Sequence, residues 1–390
     1  MEGGQVLATL IRLTGDIDVA EDALQEAALV ALEKWRHAGV PDNPGAWLTT
    51  VARHKALDHL RREGRRRDKE NEAAITMLDS AAERPDPDDR LRLIFTCCHP
   101  SLSPETRVIL TLRTIGGLST PEIARAFLMP DATIGQRISR AKKKISVAAI
   151  PYRLPPDHEL PDRLSAVLAT LYVIFTTGHH SFTGRLDSRI DLAEEAIRLG
   201  RVLTTLMPDE HEVHGLLALM LATHARRRSR LDRNGDLVLL AEQDRRLWDR
   251  SAITEASALV ERSLRRHRPG PYQIQAAIAC LHGDADSDAH TDWKQIVDLY
   301  RALERVAPGP VVRVNRAVAE AKVFGATAGL ALLEGVSGVG AWHLYWSTQA
   351  ELMRQLGRTS EAGEAYRRAL DCEMNDSDRR FLEGRLESLR

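Results

Sequence analysis

Nothing in these 390 residues suggests catalysis: no glycine-rich phosphate loop, nucleophile elbow or carboxylate pair is visible. The side chains whose types and spacing could do chemistry are donors able to reach nucleic acid. Thr133, Gln136, Arg137, Arg140 and Lys143 recur at helical spacing. Such a row presents amides and guanidiniums to base edges and ammoniums to phosphates. Charge is distributed to match. From Arg53 to Arg67 seven Lys or Arg face two acids, and from Arg113 to Lys144 seven again face two. Between them, from Asp68 to Thr106, nine acids face four bases. Two basic islands around an acidic connector point to two DNA contacts and a spacer that avoids DNA, although the chain's net charge is only −1.

The second island must be held by two short helices. Ser119 caps the first, Glu122 completes a capping box, and Pro121 is tolerated in the first turn. Ile123, Ala124 and Phe127 give it an apolar side. Met129-Pro130-Asp131 breaks the chain, and Asp131 is placed to cap the next helix. That helix carries Ile134, Ile138, Ala141 and Ile145 on one face, opposite the polar row. This is the layout of a helix-turn-helix, whose second helix enters the major groove. An ordinary amphipathic pair with a solvated face has the same short pattern.

Upstream, Gln5–Leu13 reads as an apolar helix, followed by a break at Gly15-Asp16. Asp18 is placed to cap a long helix with Leu24, Ala28, Ala31 and Trp35 buried. Asp22, Gln25, Glu26 and Glu33 then lie outside, on a solvated face or a docking surface. After a proline-containing loop, the helix from Pro44 buries Leu48, Ala52, Ala56 and Leu60. Arg53, His54, Lys55 and Asp58 lie elsewhere on it, and it runs into Arg61, Arg62, Arg65, Arg66 and Arg67. This many cations exceed what a helix C-terminus requires, so phosphate contact is expected. Trp47 and His54 add rings on which unpaired bases can stack, unless Trp47 is simply core.

Past Ile150 the pattern is helix after helix. Its last stretch, with Trp346, Ala350, Met353, Gly357, Ala362, Tyr366 and Ala369, fits a tetratricopeptide repeat. Such arrays bind peptides or partner proteins on a concave surface. Cysteines 97, 98, 280 and 372 make no disulfide framework or metal spacing. His211 and His214 lack matched ligands and read as core or surface residues. No cofactor is implied. No signal peptide is visible and no apolar run approaches the ~20 residues that cross a bilayer. A cytosolic, all-α protein with no membrane partner is expected.

The order of these motifs resembles the sigma-70 family of RNA polymerase sigma factors, of the extracytoplasmic-function type. DVAEDALQEAALVALEKW resembles region 2.2, PGAWLTTVARHKALDHLRRE regions 2.3 and 2.4, and LSPETRVILTLRTIGGLSTPEIARAFLMPDATIGQRISRAKKKI region 4. The long extension resembles the subgroup with a fused, TPR-like C-terminal domain. The resemblance implies that Asp22, Gln25 and Glu26 dock on the clamp helices of the polymerase β′ subunit. It places Trp47, Arg53, His54, Lys55, Asp58, Arg61 and Arg62 at the −10 element. Thr133, Gln136, Arg137, Ser139 and Arg140 fall at the −35 element, with Lys142 and Lys143 suited to phosphates. Many members have asparagine at His54 and lysine or arginine at Gly135, and more chain before Gln5, so a shortened first helix or an upstream start is implied. The acidic connector resembles the segment that passes through polymerase near the RNA exit path, and the core polymerase partner implied by the resemblance comprises the β′ clamp and β subunits.

The resulting domain limits are 1–67 for region 2, 68–100 for the acidic linker, 101–149 for region 4 and 150–390 for a helical regulatory domain. The function expected is promoter-specific initiation with core RNA polymerase, modulated by the C-terminal domain or a regulatory protein bound to it. The alternatives are a free-standing helix-turn-helix regulator with a sensing domain, and a TPR scaffold whose basic segments are merely solvated.

Overall fold

The structure, a computed structural model, describes residues 3–64, 87–127, 129–148, 150, 152–180, 192–233, 236–264 and 269–389. Of Arg61 and Arg62 only the helical backbone is described, while Arg65, Arg66, Arg67 and the connector as far as residue 86 lie outside. The fold is all-α: among the described residues there is no strand, only an isolated bridge between Leu231 and Leu237. The chain forms two compact units, Met1–Thr177 with Ser188–Leu206, and Gly178–Asp187 with Met207–Arg390.

In the first unit α1 (Gly3–Thr14), α2 (Ile17–Ala38) and α3 (Pro44–Gly64) pack around Leu13, Val19, Ala23, Ala56, Leu57 and Leu60. Gly15 turns the chain at φ 70°, a conformation that disfavours side chains. Helix α2 starts directly afterwards, so the cap is Asp16 and not Asp18. The Asp16 carboxylate accepts the backbone N–H groups of Asp18 at 2.7 Å and Val19 at 3.1 Å. The buried stripe of α2 also differs from the sequence expectation. Ala20, Ala23, Ala27 and Ala31 are buried, Leu24 and Trp35 are half-buried, and Ala28 is exposed. Small side chains let α2 approach the fully buried Ala52 and Ala56 of α3, so alanines take the seam and the leucines are turned away. On α3, Ala52, Ala56 and Leu60 are buried as expected, and Leu48 is half-buried.

Next come α4 (Pro87–Cys97), α5 (Pro104–Thr114), α6 (Thr120–Ala126) and α7 (Asp131–Val147). Asp89, an acid of the connector by sequence, is fully buried and accepts Arg12 Nε at 2.9 Å and Arg92 Nη1 at 2.7 Å. This ties α4 to α1, and the Tyr152 hydroxyl lies 2.8 Å from the carbonyls of both Ala8 and Asp89. The capping box forms: the Ser119 N–H donates to Glu122 Oε2 at 2.8 Å, and Ser119 Oγ accepts the Glu122 N–H at 3.4 Å. Asp131 does not cap α7. Pro130, extended at φ −63° and ψ 142°, occupies that place without a side-chain bond, and Asp131 opens the first turn, where its charge suits the helix dipole.

Helices α8 (Leu160–His180) and α9 (Leu192–Leu206) complete the first unit, beyond the limit at 150 read from sequence. Arg163 Nη2 donates to the Phe95 carbonyl at 2.9 Å, and Arg198 Nη2 lies 3.5 Å from the Ile115 carbonyl. Both bonds span more than 60 residues of chain.

The second unit is a helical array: α10 (His211–His224), α11 (Arg250–Leu264), α12 (Pro271–Asp284), α13 (Trp293–Val306), α14 (Pro310–Phe324), α15 (Ala326–Leu333), α16 (His343–Gln355), α17 (Thr359–Leu370) and α18 (Asp376–Glu387). The repeat signature falls on α16 and α17. Ala350, Ala362, Tyr366 and Ala369 are buried, and Trp346 and Met353 pack beside them. Gly357 makes the turn at φ 72°. On α12, burial and then the charges of Arg226 and Arg245 push His282 down to about 4, Lys322 adding to this and Asp288 opposing it. An unfolded histidine titrates near ~6.5, so between there and the depressed value the unfolded chain holds the extra proton. Stability is therefore full above this window and falls as pH drops through it. An acid series of melting temperatures checks this: His282→Gln should flatten the fall between those two pH values, and an unchanged slope would contradict it.

Candidate nucleic-acid and partner-binding surfaces

The four apolar positions of α7, Ile134, Ile138, Ala141 and Ile145, are all buried against the helices around them. This orients the opposite face outward. Gln136, Ser139, Arg140 and Lys143 are exposed, and Thr133 and Arg137 are half-buried. Arg137 is ion-paired with Glu105 at the start of α5. A Cβ at Gly135 would meet nothing nearer than Thr120 Cγ2 at 4.0 Å, so the absence of a side chain there is not a packing demand.

Lys142 behaves differently. Its side chain is 12% exposed, and Nζ bonds Asp18 Oδ1 at 2.7 Å and Glu21 Oε2 at 3.0 Å, both on α2. Burial disfavours its charge, but the bonds to Asp18 and Glu21 outweigh this and hold its pKa above the ordinary lysine value. Arg113 lies 3.7 Å from the same Glu21 oxygen. One cation of α7 is thus taken up by the acids at the start of α2.

On α3, His54 and Asp58 are exposed, and Arg53 and Lys55 are half-buried. Lys55 pairs with Glu26 of α2 at 3.2 Å, an exposed pair of small energetic worth. Trp47 is half-buried, its ring 5.3 Å from that of Trp35 and tilted by 59°. One side of Trp47 is therefore anchored by a second indole.

On α2, Asp22, Gln25 and Glu26 are exposed, and two apolar residues share their side: Leu29 is 66% exposed and Leu32 68%. Sequence reasoning missed this pair. The signal was present, since two leucines three apart fall outside the alanine stripe. Cys97 and Cys98 are buried beside Thr114 and Thr111, with sulfur–oxygen distances of 3.1 and 3.5 Å, and burial pushes both thiols up. His214 Nδ1 lies 3.2 Å from the Glu210 carbonyl.

The helix pair α6–α7 thus carries an exposed polar face, and α3 separately carries polar and cationic residues beside an indole held against Trp35. Residues 2–66 match the sigma-70 region 2 family, residues 92–145 sigma-70, region 4, and residues 163–264 a family of unknown function (DUF6596). The chain is 42% identical to an uncharacterized protein of Rhizobium meliloti (strain 1021), over 99% of this chain and 93% of that one. It is 31% identical to the probable ECF RNA polymerase sigma factor SigI of Mycobacterium tuberculosis, over 37% of this chain and 52% of SigI. To the ECF RNA polymerase sigma factor SigJ of M. tuberculosis it is 29% identical, over 50% of this chain and 65% of SigJ. No solved structure matches. The chain belongs to the sigma-70 family, as a sigma factor of the extracytoplasmic-function type with an additional C-terminal domain. It directs promoter-specific transcription, in a family that is not an enzyme class and that binds core RNA polymerase and promoter DNA.

Proposed function

We propose that the exposed face of α2 docks on the β′ clamp of core polymerase, that α3 melts and reads the −10 element, and that α7 reads the −35 element as duplex. The observation that carries this is the buried Ile134, Ile138 and Ile145 stripe, which turns Gln136, Ser139, Arg140 and Lys143 outward together. Gln136 and Arg140 are suited to base edges, and Lys143 to phosphate. His54 and Trp47 offer rings to single-stranded bases, and Asp58 an acceptor. Leu29 and Leu32 add an apolar centre to the Asp22, Gln25 and Glu26 surface, the composition of an interface core with a polar rim. The β subunit is a further contact of core polymerase. The site of action is the cytoplasm, and no step is catalysed by this chain itself. The helical array of the second unit receives a regulatory protein. Footprinting with purified core polymerase tests the assignment: protection of a −35 duplex should require core enzyme and fall with Arg140→Ala. Equal protection by the free chain would favour an independent regulator.

The Lys142 ion pairs hold the two DNA-reading modules against each other. Breaking them with Asp18→Asn and Glu21→Gln leaves a nearly buried ammonium unpaired, which costs about 2 kcal/mol and opens the contact. The freed lysine then reaches phosphate. With core polymerase present, the double variant should bind −35 duplex more tightly than the parent, with the salt slope steeper by about 1. Fluorescence anisotropy over a salt series would show it, and an unchanged slope would remove the role given to Lys142.

A further inference from the structure

One flank of α7's outward face carries a row at three- and four-residue spacing, Thr133, Arg137, Arg140 and Lys144. Two members of this row are tied to the turn and first residues of α5. Arg137 Nη1 is ion-paired with Glu105, and Lys144 Nζ donates to the Ser101 carbonyl. Arg140, between them, is exposed. The platform that presents Glu105 is itself fixed. Arg107 Nε donates to the carbonyls of Leu102 at 2.9 Å and His99 at 3.1 Å, and its Nη2 to that of Pro100 at 2.9 Å. Ser103 caps α5, its Oγ accepting the Thr106 N–H at 3.3 Å. Glu105 stands in the first turn beyond this cap, where its charge also suits the helix dipole.

The side chains of Arg137 and Glu105 are 32% and 51% exposed, and a pair so open to water adds little to stability. Its consequence falls on the arginine. A free arginine loses rotamer freedom when it meets a base, and a guanidinium already held from one side has less to lose. Arginine carries five N–H donors. The pair with Glu105 engages Nη1, which leaves donors for an acceptor pair such as O6 and N7 of guanine. A carboxylate beside the duplex also repels phosphate, so Glu105 lowers general attraction to DNA while it fixes one direction of reading.

We propose that Glu105 is a positioning residue for promoter selection: it holds Arg137 so that one base pair of the −35 element is read at a fixed angle, with guanine preferred. This rests on the assignment of α7 to the −35 element and adds to it a residue from outside that helix. Glu105 acts through Arg137 alone.

Competition binding tests this, with holoenzyme assembled from the full chain and purified core polymerase, on promoter duplexes changed one −35 base pair at a time. Glu105→Gln, Arg137→Gln and the double variant are compared with the parent. Glu105→Gln should lower discrimination at a single base pair by at least about fivefold and leave the other positions unchanged. Its binding to unrelated duplex should strengthen, because a negative charge has left the DNA-facing side. Arg137→Gln should lose discrimination at that same base pair, and adding Glu105→Gln to it should change discrimination no further. The melting temperature of Glu105→Gln should stay within about 2 °C of the parent. Unchanged discrimination in Glu105→Gln, an equal change at every base pair, a further loss in the double variant, or a much lower melting temperature would each overturn the proposal and leave the assignment of α7 standing. A parent holoenzyme that prefers no base pair in the −35 element would overturn that assignment, and the role of Glu105 with it.

Discussion

Leu29→Asp with Leu32→Asp is expected to weaken binding to core polymerase by at least about a hundredfold while leaving the fold intact. Each leucine is about two-thirds exposed, at 66% and 68%, so neither supports the α2–α3 seam, which alanines form. Surface changes of this kind alter stability by roughly 0.5 kcal/mol or less. At the centre of an interface, by contrast, apolar anchors contribute about 2 kcal/mol each, and a buried unpaired carboxylate adds to the loss. Surface plasmon resonance against immobilised core enzyme, with circular dichroism melts in parallel, measures both quantities. Unchanged affinity would move the docking surface away from this face of α2.

The second large effect concerns where the chain can be cut. Truncation after Ile150 removes α8 and α9, in which Leu164, Val167, Leu168, Leu171, Ile174, Phe175, Leu199 and Leu203 are all buried. It also deletes Tyr152, bonded to Ala8 and Asp89, and Arg163, bonded to Phe95. Burial of one large apolar side chain contributes about 1.5–3 kcal/mol, and a whole domain is stable by only about 5–15 kcal/mol. The 1–150 polypeptide should therefore lose cooperative unfolding. Truncation after Leu206 keeps the whole first unit and should melt cooperatively. Calorimetric scans of the two fragments decide the matter, and a 1–150 fragment that melts like 1–206 would contradict it. The consequence for regulation is practical. Only the cut after Leu206 separates loss of a regulatory array from loss of the DNA-reading fold.

The parts of this molecule that were legible in sequence are those set by local periodicity. Three isoleucines at helical spacing fixed both the buried and the outward face of α7, and the Ser119–Glu122 box marked the start of α6 as the hydrogen bonds show. Where packing depends on what the partner helix offers, periodicity misled. The α2 stripe is set by close approach to Ala52 and Ala56, which rewards alanine over leucine. Caps were misplaced where glycine or proline geometry decided the start, at Asp16 and Pro130. Long-range pairs were invisible. Lys142 meets Glu21 across 121 positions and Arg163 meets Phe95 across 68, and no local pattern encodes either bond. The same holds for Arg226 and Arg245, which the fold brings to the single ring of Trp248.

The central claim is that this chain chooses where polymerase begins. Run-off transcription with purified core enzyme on a promoter library, followed by mapping of the RNA 5′ ends, tests it most directly. Addition of the chain should create start sites that share one upstream pair of motifs, and substitution of Arg140 should reduce use of the −35 motif first. Identical start sites with and without the chain would contradict the account.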